Sequence, residues 1–167
     1  MGRAYLSLGS NIDAEANLRS AVDALRARFG EIAVSQKYLS PAVGFEGGDF
    51  LNTAAIIDSD LDPHALNGWL HALEDAHGRD RSGPRYGDRP LDIDIVFYDA
   101  LILEGPGHLQ IPRDELQHAF VLKPLAEIAP DYVDPRSGHT LAQLWQAHQE
   151  HDDPRWVQLG DASCIPP

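Results

Sequence analysis

The sequence contains little cysteine and no long hydrophobic run. Cys164 is the one cysteine among 167 residues, so the chain has no partner for an internal disulfide and a reducing compartment is expected. No apolar stretch has the length of a signal peptide or of a membrane-spanning helix. We therefore expect a cytoplasmic protein that does not bind a membrane.

Basic residues are also scarce. Lys and Arg number 13 against 26 Asp and Glu, which gives a formal net charge of −13. Such a chain would repel polynucleotides, because their binding begins at a broad basic surface. The charge therefore argues against a nucleic-acid partner. A length of 167 residues suits a single domain over 1–167, for which a monomer is the simplest expectation.

Hydrophobic periodicity predicts an α+β core. Alternating residues from Arg3 to Leu8 predict a strand, and apolar residues at helical spacing predict a helix over 14–29, with Gly30 as its stop. The later predictions are strands over 32–38, 50–57 and 91–98, a loop over 40–49, and a helix that begins at Asp62-Pro63 and ends at Gly78. This βαββαβ order is that of a ferredoxin-like domain, with helices on one face of an antiparallel sheet.

The sequence beyond Ala100 is less regular. Its apolar stretches are short, at 101–103, 120–122 and 140–145, and prolines and glycines separate them. We expect this part to be a C-terminal elaboration packed on the core. The polar tail from about residue 148 is predicted to be partly disordered.

One segment reverses the charge of the chain. Residues 79–89 carry a charge of +2, whereas the remainder carries −15. Arginine recognises phosphate through forked hydrogen bonds, and this Gly- and Pro-containing loop can fold over a ligand. The candidate phosphate-binding residues are Arg79, Arg81, Arg85 and Arg89.

Two aspartates follow directly on the predicted fourth strand. Asp92 and Asp94 leave the same face, about 6.6 Å apart along the backbone, because side chains alternate along a strand. At an effective dielectric near 20, the two charges repel by roughly 2–3 kcal/mol, which favours a bound cation. Hard oxygen ligands select Mg²⁺. The alternative is a solvated strand face whose charge nearby arginines balance.

The combined spacing resembles a family signature. The 6-hydroxymethyl-7,8-dihydropterin pyrophosphokinase family of the folate pathway has a motif similar to Arg79-x-Arg81-x-x-x-Arg85-Tyr-Gly-x-Arg89-x-x-Asp92-x-Asp94-Ile. Further segments resemble the family in the same order, and the resemblance spans about residues 3–135. These segments are Tyr5–Asn11, Ser40–Gly44, Phe50–Asn52 and Phe120–Pro130.

The resemblance implies an ATP-dependent enzyme that moves pyrophosphate from ATP to the hydroxymethyl group of the pterin and releases AMP. Asp92 and Asp94 would hold two Mg²⁺ ions, and they act in catalysis together with the four arginines. The residues implied for ATP are Glu74, Arg79, Arg81, Arg89, Arg113 and His118. For Glu74, a solvent-exposed place on its helix is the alternative.

The resemblance also implies a flat slot for the pterin, because a planar heterocycle packs well between aromatic rings. Phe50 and Phe120 have the alternative of being ordinary core residues. The residues implied for the slot are Ser40, Pro41, Val43, Phe50, Asn52, Tyr86 and Phe120.

One segment departs from the family pattern. Residues 112–118 are one residue shorter than the corresponding family segment and contain Arg113 where the family often has histidine. Two alternatives to the leading function therefore stay open. One is a pterin- or nucleotide-binding relative with weak or no turnover, and the other is a kinase that acts on a modified pterin.

Overall fold

The computed structural model describes residues 1–40, 49–78, 90–104 and 109–153. A short 3-10 helix over Asp114–Gln117 precedes the last two α-helices. In chain order the strands and α-helices are β1 Gly2–Ser10, α1 Ala14–Phe29, β2 Ala33–Val34, β3 Tyr38–Ser40, β4 Phe50–Ser59, α2 Pro63–Ala76, β5 Asp92–Tyr98, β6 Leu103–Glu104, β7 Gln110–Ile111, α3 Ala119–Ile128 and α4 Leu141–Gln146.

The main sheet is antiparallel and has β1 at its centre. Its order is β2-β4-β1-β5, with β3 also paired to β4. The register of β1 aligns Gly9 with Asn52 on one side and with Asp92 on the other. Strands β6 and β7 form a separate two-stranded sheet. The ferredoxin-like α+β class predicted from the element order is confirmed.

Helices α1 and α2 cover one face of the main sheet. Leu18 and Leu25 of α1 and Leu66 and Leu70 of α2 are fully buried in one core with alternate residues of β1 and β5. The helix predicted over 14–29 has those bounds, and Gly30 follows it at φ 85°. The predicted second helix is also confirmed, with Asp62 accepting a cap bond from the Ala65 amide at 2.8 Å.

The second face of the sheet is covered by α3. Leu122 and Leu125 pack with Tyr5, Ala54 and Phe97 in a separate buried cluster, and Leu141 of α4 completes it. The stretch 120–122, expected to be irregular elaboration, is therefore part of a regular helix. Both faces of the sheet are buried, rather than one.

The strand predicted over 32–38 is divided into β2 and β3. Between them, the hydroxyl of Ser35 takes the place of a main-chain acceptor, because the Ala54 amide donates to Ser35 Oγ at 2.9 Å. The same hydroxyl lies 3.0 Å from Thr53 Oγ1. This side-chain bond interrupts the ladder, so one continuous strand was a wrong prediction.

The last described residues of the chain contact the short 3-10 helix. Residues 148–153 form turns, in which His148 Nε2 lies 2.7 Å from the Gln117 carbonyl oxygen, and the rest of the tail lies outside the described residues. In the part of the chain that the structure describes, no helix combines the length and apolar character needed to cross a membrane.

Candidate active site

The two aspartates lie at the start of β5, which is an edge strand of the sheet formed by the described residues. Ile93 and Ile95 are buried beneath α1 and α2, so Asp92 and Asp94 point to the opposite face, as the strand period predicted. Asp94 is aligned with Ser7 of β1. Both carboxylates are half-buried.

Arg113 is the basic residue next to this pair in the described chain. Its Nη1 lies 3.7 Å from Asp94 Oδ1, and its Nε donates to Glu115 Oε2 at 2.8 Å. The Arg113 amide donates to the Val96 carbonyl at 3.2 Å, which joins this segment to β5. The shortened segment 112–118 thus brings a guanidinium to the aspartates.

The electrostatics of the pair suit a cation. Burial, followed by the negative charge of Asp92, raises the pKa of Asp94 to about 7, and Arg113 only partly opposes this shift. Glu74 and Glu115 raise the pKa further. In the described ranges, no group of three or more His, Cys, Asp or Glu side chains is arranged to hold a metal ion. A cation here would rely on the two aspartates as its protein ligands.

Glu74 reaches the same strand from α2. It is 2% exposed, and its Oε2 accepts a hydrogen bond from the Ile93 amide at 2.8 Å. The alternative of a solvent-exposed helix residue is therefore wrong. The buried carboxylate binds the peptide that joins Asp92 to the following residues of β5.

A polar amide lies on the same sheet face, two strands away. Asn52 is 4% exposed and is aligned with Gly9, which is aligned in turn with Asp92. We call these three residues the Gly9 row. A Cβ atom added at Gly9 would lie 3.3 Å from Asn52 Oδ1 and 3.6 Å from Phe50 Cδ1. Because Gly9 has no side chain, the space between the Asn52 amide and the Asp92 carboxylate stays open.

The orientation of Asn52 is fixed by its own donors. Its Nδ2 donates to Ser40 Oγ at 2.8 Å and to the Tyr38 carbonyl at 3.1 Å. The Oδ1 atom then lies toward Gly9. Ser40, Phe50 and Asn52, all predicted for the pterin slot, are brought together at this end of the sheet.

Helix α3 supports this amide from behind, a contact that the sequence did not predict. The hydroxyl of the fully buried Tyr38 donates to Glu127 Oε1, and the Gln36 amide donates to Glu127 Oε2 at 2.9 Å. Burial and the Glu127 carboxylate raise the pKa of Tyr38. Residues 38 and 127 are 89 positions apart, so no local pattern reveals the pair.

His118 and Phe120 form a ring stack at the start of α3. Their centroids are 4.9 Å apart and their planes differ by 10°. Phe120 also packs against the buried cluster of Tyr38 and Ala119 and is half-buried. His118, predicted for ATP, therefore lies against a residue predicted for the pterin.

Several predicted site residues fall outside the described residues. The residues concerned are Pro41, Val43, Arg79, Arg81, Arg85, Tyr86 and Arg89.

These features define a ferredoxin-like α+β protein with an acidic strand and a buried amide at one end of its sheet. The chain belongs to the 7,8-dihydro-6-hydroxymethylpterin-pyrophosphokinase (HPPK) family, whose family model matches residues 5–130.

Similar proteins carry the corresponding name. The 2-amino-4-hydroxy-6-hydroxymethyldihydropteridine pyrophosphokinase of Methylorubrum extorquens is 44% identical over 137 residues, covering 80% of this chain and 86% of the relative. The Synechocystis protein of the same name is 38% identical over 146 residues, covering 81% of this chain and 74% of the relative.

A solved structure shares the fold. Plasmodium falciparum HPPK-DHPS superposes with a TM-score of 0.69 at 14% identity, and the match covers 95% of this chain. The chain spans about half of that longer protein, 47% of its length. At this identity the similarity supports the fold alone.

Proposed function

We propose that this protein transfers the β,γ-pyrophosphoryl group of ATP to 6-hydroxymethyl-7,8-dihydropterin. The hydroxymethyl oxygen would attack the β-phosphorus of ATP, and the bond from that phosphorus to the α,β-bridging oxygen would break. AMP leaves, and the hydroxyl proton passes to solvent. The family membership and the names of the relatives support this reaction.

The observation that carries the proposal is the Gly9 row. In this row, the Asp92 carboxylate, which can bind a cation, is aligned with the buried Asn52 amide. Gly9, which has no side chain, lies between them. The two substrates of a transfer reaction must meet in reach of each other. One charged phosphate site and one hydrogen-bonding heterocycle site on a single sheet face meet that need.

At the phosphate end, Asp92 and Asp94 would hold two Mg²⁺ ions. The donor set fits, because two half-buried carboxylates on one strand face supply hard oxygen ligands. Burial, followed by the negative charge of Asp92, raises the pKa of Asp94 when no cation neutralises the pair. Bound Mg²⁺ would neutralise charge on the phosphate oxygens. Arg113 adds a guanidinium beside Asp94.

Other predicted ATP contacts fall into two groups. The four arginines Arg79, Arg81, Arg85 and Arg89 stay predictions for the phosphates. The contact of Glu74 with the Ile93 amide argues for a supporting role rather than direct ATP contact. For His118, the stack on Phe120 argues for the pterin slot.

At the pterin end, Asn52 Oδ1 would accept a hydrogen bond from an N–H group of the heterocycle. Its own N–H donors are already directed at Ser40 and Tyr38, so the amide presents an acceptor to the ligand. Phe50 and Phe120 supply ring faces near this end of the sheet. Pro41, Val43 and Tyr86 stay predictions for the same slot.

The reaction is tested by product analysis. Purified protein incubated with ATP, Mg²⁺ and the hydroxymethyl dihydropterin should release AMP and form the pterin diphosphate in equal amounts. Omission of the pterin is the matched control and should give no AMP. Absence of AMP from a folded sample would reject the proposal.

One observation favours a second candidate, a binding protein with weak or no turnover. Arg113 places a positive charge beside Asp94, where the reaction needs a metal ion. Calorimetry that detects binding of ATP and pterin, together with no AMP in the product assay, would support this candidate. Comparison of rates across several pterins separates the remaining alternative, a kinase for a modified pterin.

A further inference from the structure

Glu74 makes a contact that an ATP ligand does not need. Its carboxylate is buried near the end of α2 and accepts a hydrogen bond from the Ile93 amide at 2.8 Å. Ile93 lies between the two aspartates, and its side chain is fully buried in the opposite core. The bond therefore holds the Asp92–Ile93 peptide, one of the two peptide units between the candidate metal ligands.

The position of β5 explains why such a bond is needed. Among the strands that the structure describes, β5 is at the edge of the sheet and pairs only with β1. The amide of Ile93 is satisfied by Glu74, so the helix takes the place of a neighbouring strand at that point. Since Asp92 and Asp94 flank this amide, rotation of its peptide would change the directions of both carboxylates.

The electrostatics of Glu74 are unfavourable on their own. Its charge is one of the causes that raise the pKa of Asp94. A buried carboxylate beside two others is stabilised when a donor or a cation compensates it. The charge-assisted bond from the Ile93 amide supplies one such donor.

We infer that Glu74 is a positioning residue that binds the Ile93 amide and thereby fixes Asp92 and Asp94 in the geometry that holds the divalent cation. This inference rests on the proposed function and deepens its metal site. Groups that orient metal ligands typically change metal affinity by about 10- to 100-fold when removed.

Two substitutions separate the bond from the charge. Glu74→Gln removes the charge but keeps an oxygen that can accept from the Ile93 amide. Glu74→Met has similar volume and has no such acceptor, so the helix should stay packed while the bond is lost. Asp23→Asn, at an exposed position of α1, is a matched control for loss of one negative charge.

The first readout is binding of Mn²⁺, followed by electron paramagnetic resonance in the presence of a non-hydrolysable ATP analogue. We expect E74M to weaken Mn²⁺ binding by about 10-fold or more, with E74Q and D23N within about threefold of the unsubstituted protein. If E74Q weakens binding as much as E74M, the charge rather than the bond is responsible and the inference is wrong.

The second readout does not require activity or metal. Hydrogen exchange of the Ile93 amide should be at least about 10-fold faster in E74M and near normal in E74Q, because a bonded buried amide is protected. Equal protection in E74M and the unsubstituted protein would overturn the inference. Failure of the proposed function is distinguishable, because it appears as absence of AMP from the unsubstituted protein.

Discussion

At the scale of single residues, the lack of a side chain at Gly9 leaves space between the proposed pterin end of the site, at Asn52, and its proposed phosphate end, at Asp92. It lies between Asn52 and Asp92, and the space above it is bounded by Asn52 Oδ1 and Phe50. A methyl group there would crowd the Asn52 amide, which is proposed to bind the pterin. This position is where a small change in volume should affect binding most.

Gly9→Ala should raise the KM for the pterin by roughly tenfold or more, because the added Cβ would lie 3.3 Å from Asn52 Oδ1. The matched control is Gly68→Ala, since a Cβ atom at Gly68 meets no atom within 4 Å outside the backbone of its own helix and its chain neighbours. That control should leave KM unchanged and stabilise α2 by roughly 0.5–1 kcal/mol. Steady-state kinetics with an unchanged KM in G9A would contradict the role of Gly9.

Asp94 should make the stability of the metal-free protein depend on pH. Its pKa of about 7 exceeds the value of about 3.9 expected in the unfolded chain. The folded state therefore binds the extra proton between these values. The stabilisation is complete below about pH 4 and is lost as the pH rises through 7.

Asp94→Asn should remove this dependence. With a chelator present, the free energy of unfolding of the unsubstituted protein should fall between pH 4.5 and 8, relative to that of D94N. The expected fall is roughly 1–2 kcal/mol, because solvent partly screens the Asp94 carboxylate. Urea denaturation at several pH values measures the difference, and D23N should behave like the unsubstituted protein. Parallel pH curves for D94N and the unsubstituted protein would refute the raised pKa.

At the scale of secondary-structure elements, α3 connects the second core to the candidate pterin slot. Glu127 accepts hydrogen bonds from the Tyr38 hydroxyl and the Gln36 amide. The Tyr38 carbonyl in turn accepts a hydrogen bond from Asn52 Nδ2. The slot thus depends on how firmly this helix is attached to β3.

Glu127→Ala should lower the free energy of unfolding by about 1–3 kcal/mol, because the buried Tyr38 hydroxyl loses the carboxylate to which it donates. Tyr38→Phe should cost less, and the double variant should cost less than the sum of the two. Urea denaturation tests this, with the KM for the pterin measured alongside. Additive effects of the two substitutions would rule out the coupling.

Local sequence predicted some elements better than others. The helix over 14–29 and the helix after Asp62 have strong periodicity and clear stops, so tertiary contacts were not needed to find them. Helix α3 was missed because Pro124 lies inside it and because it has only ten residues. The divided edge strand was missed because the Ser35 side-chain bond forms only in the folded sheet.

The same limit applies to the site. The period of two along a strand was enough to place Asp92 and Asp94 on one face. The contacts of Glu74 with Ile93 and of Glu127 with Tyr38 depend on which elements pack together, and no spacing in the sequence encodes them. The family resemblance supplied the identity of the substrates, which the geometry alone does not specify.

At the scale of the whole molecule, the buried cores that stabilise the sheet and the candidate site lie in different parts of the fold. Two buried cores on its opposite faces hold the strands, while Gly9, Asn52 and Asp92 lie together at one end. Because acidic residues are in excess, the proposed binding of anionic substrates would depend on the nearby arginines and on bound cations. The central claim is that this end of the sheet transfers pyrophosphate rather than a single phosphate.

The most direct measurement is phosphorus NMR of ATP, Mg²⁺ and 6-hydroxymethyl-7,8-dihydropterin incubated with the unsubstituted protein and with Asp92→Asn. The unsubstituted protein should give equal amounts of AMP and pterin diphosphate, and D92N should reduce the rate by about 100-fold or more while staying folded. Formation of ADP with a pterin monophosphate, or a near-normal rate in D92N, would contradict the account.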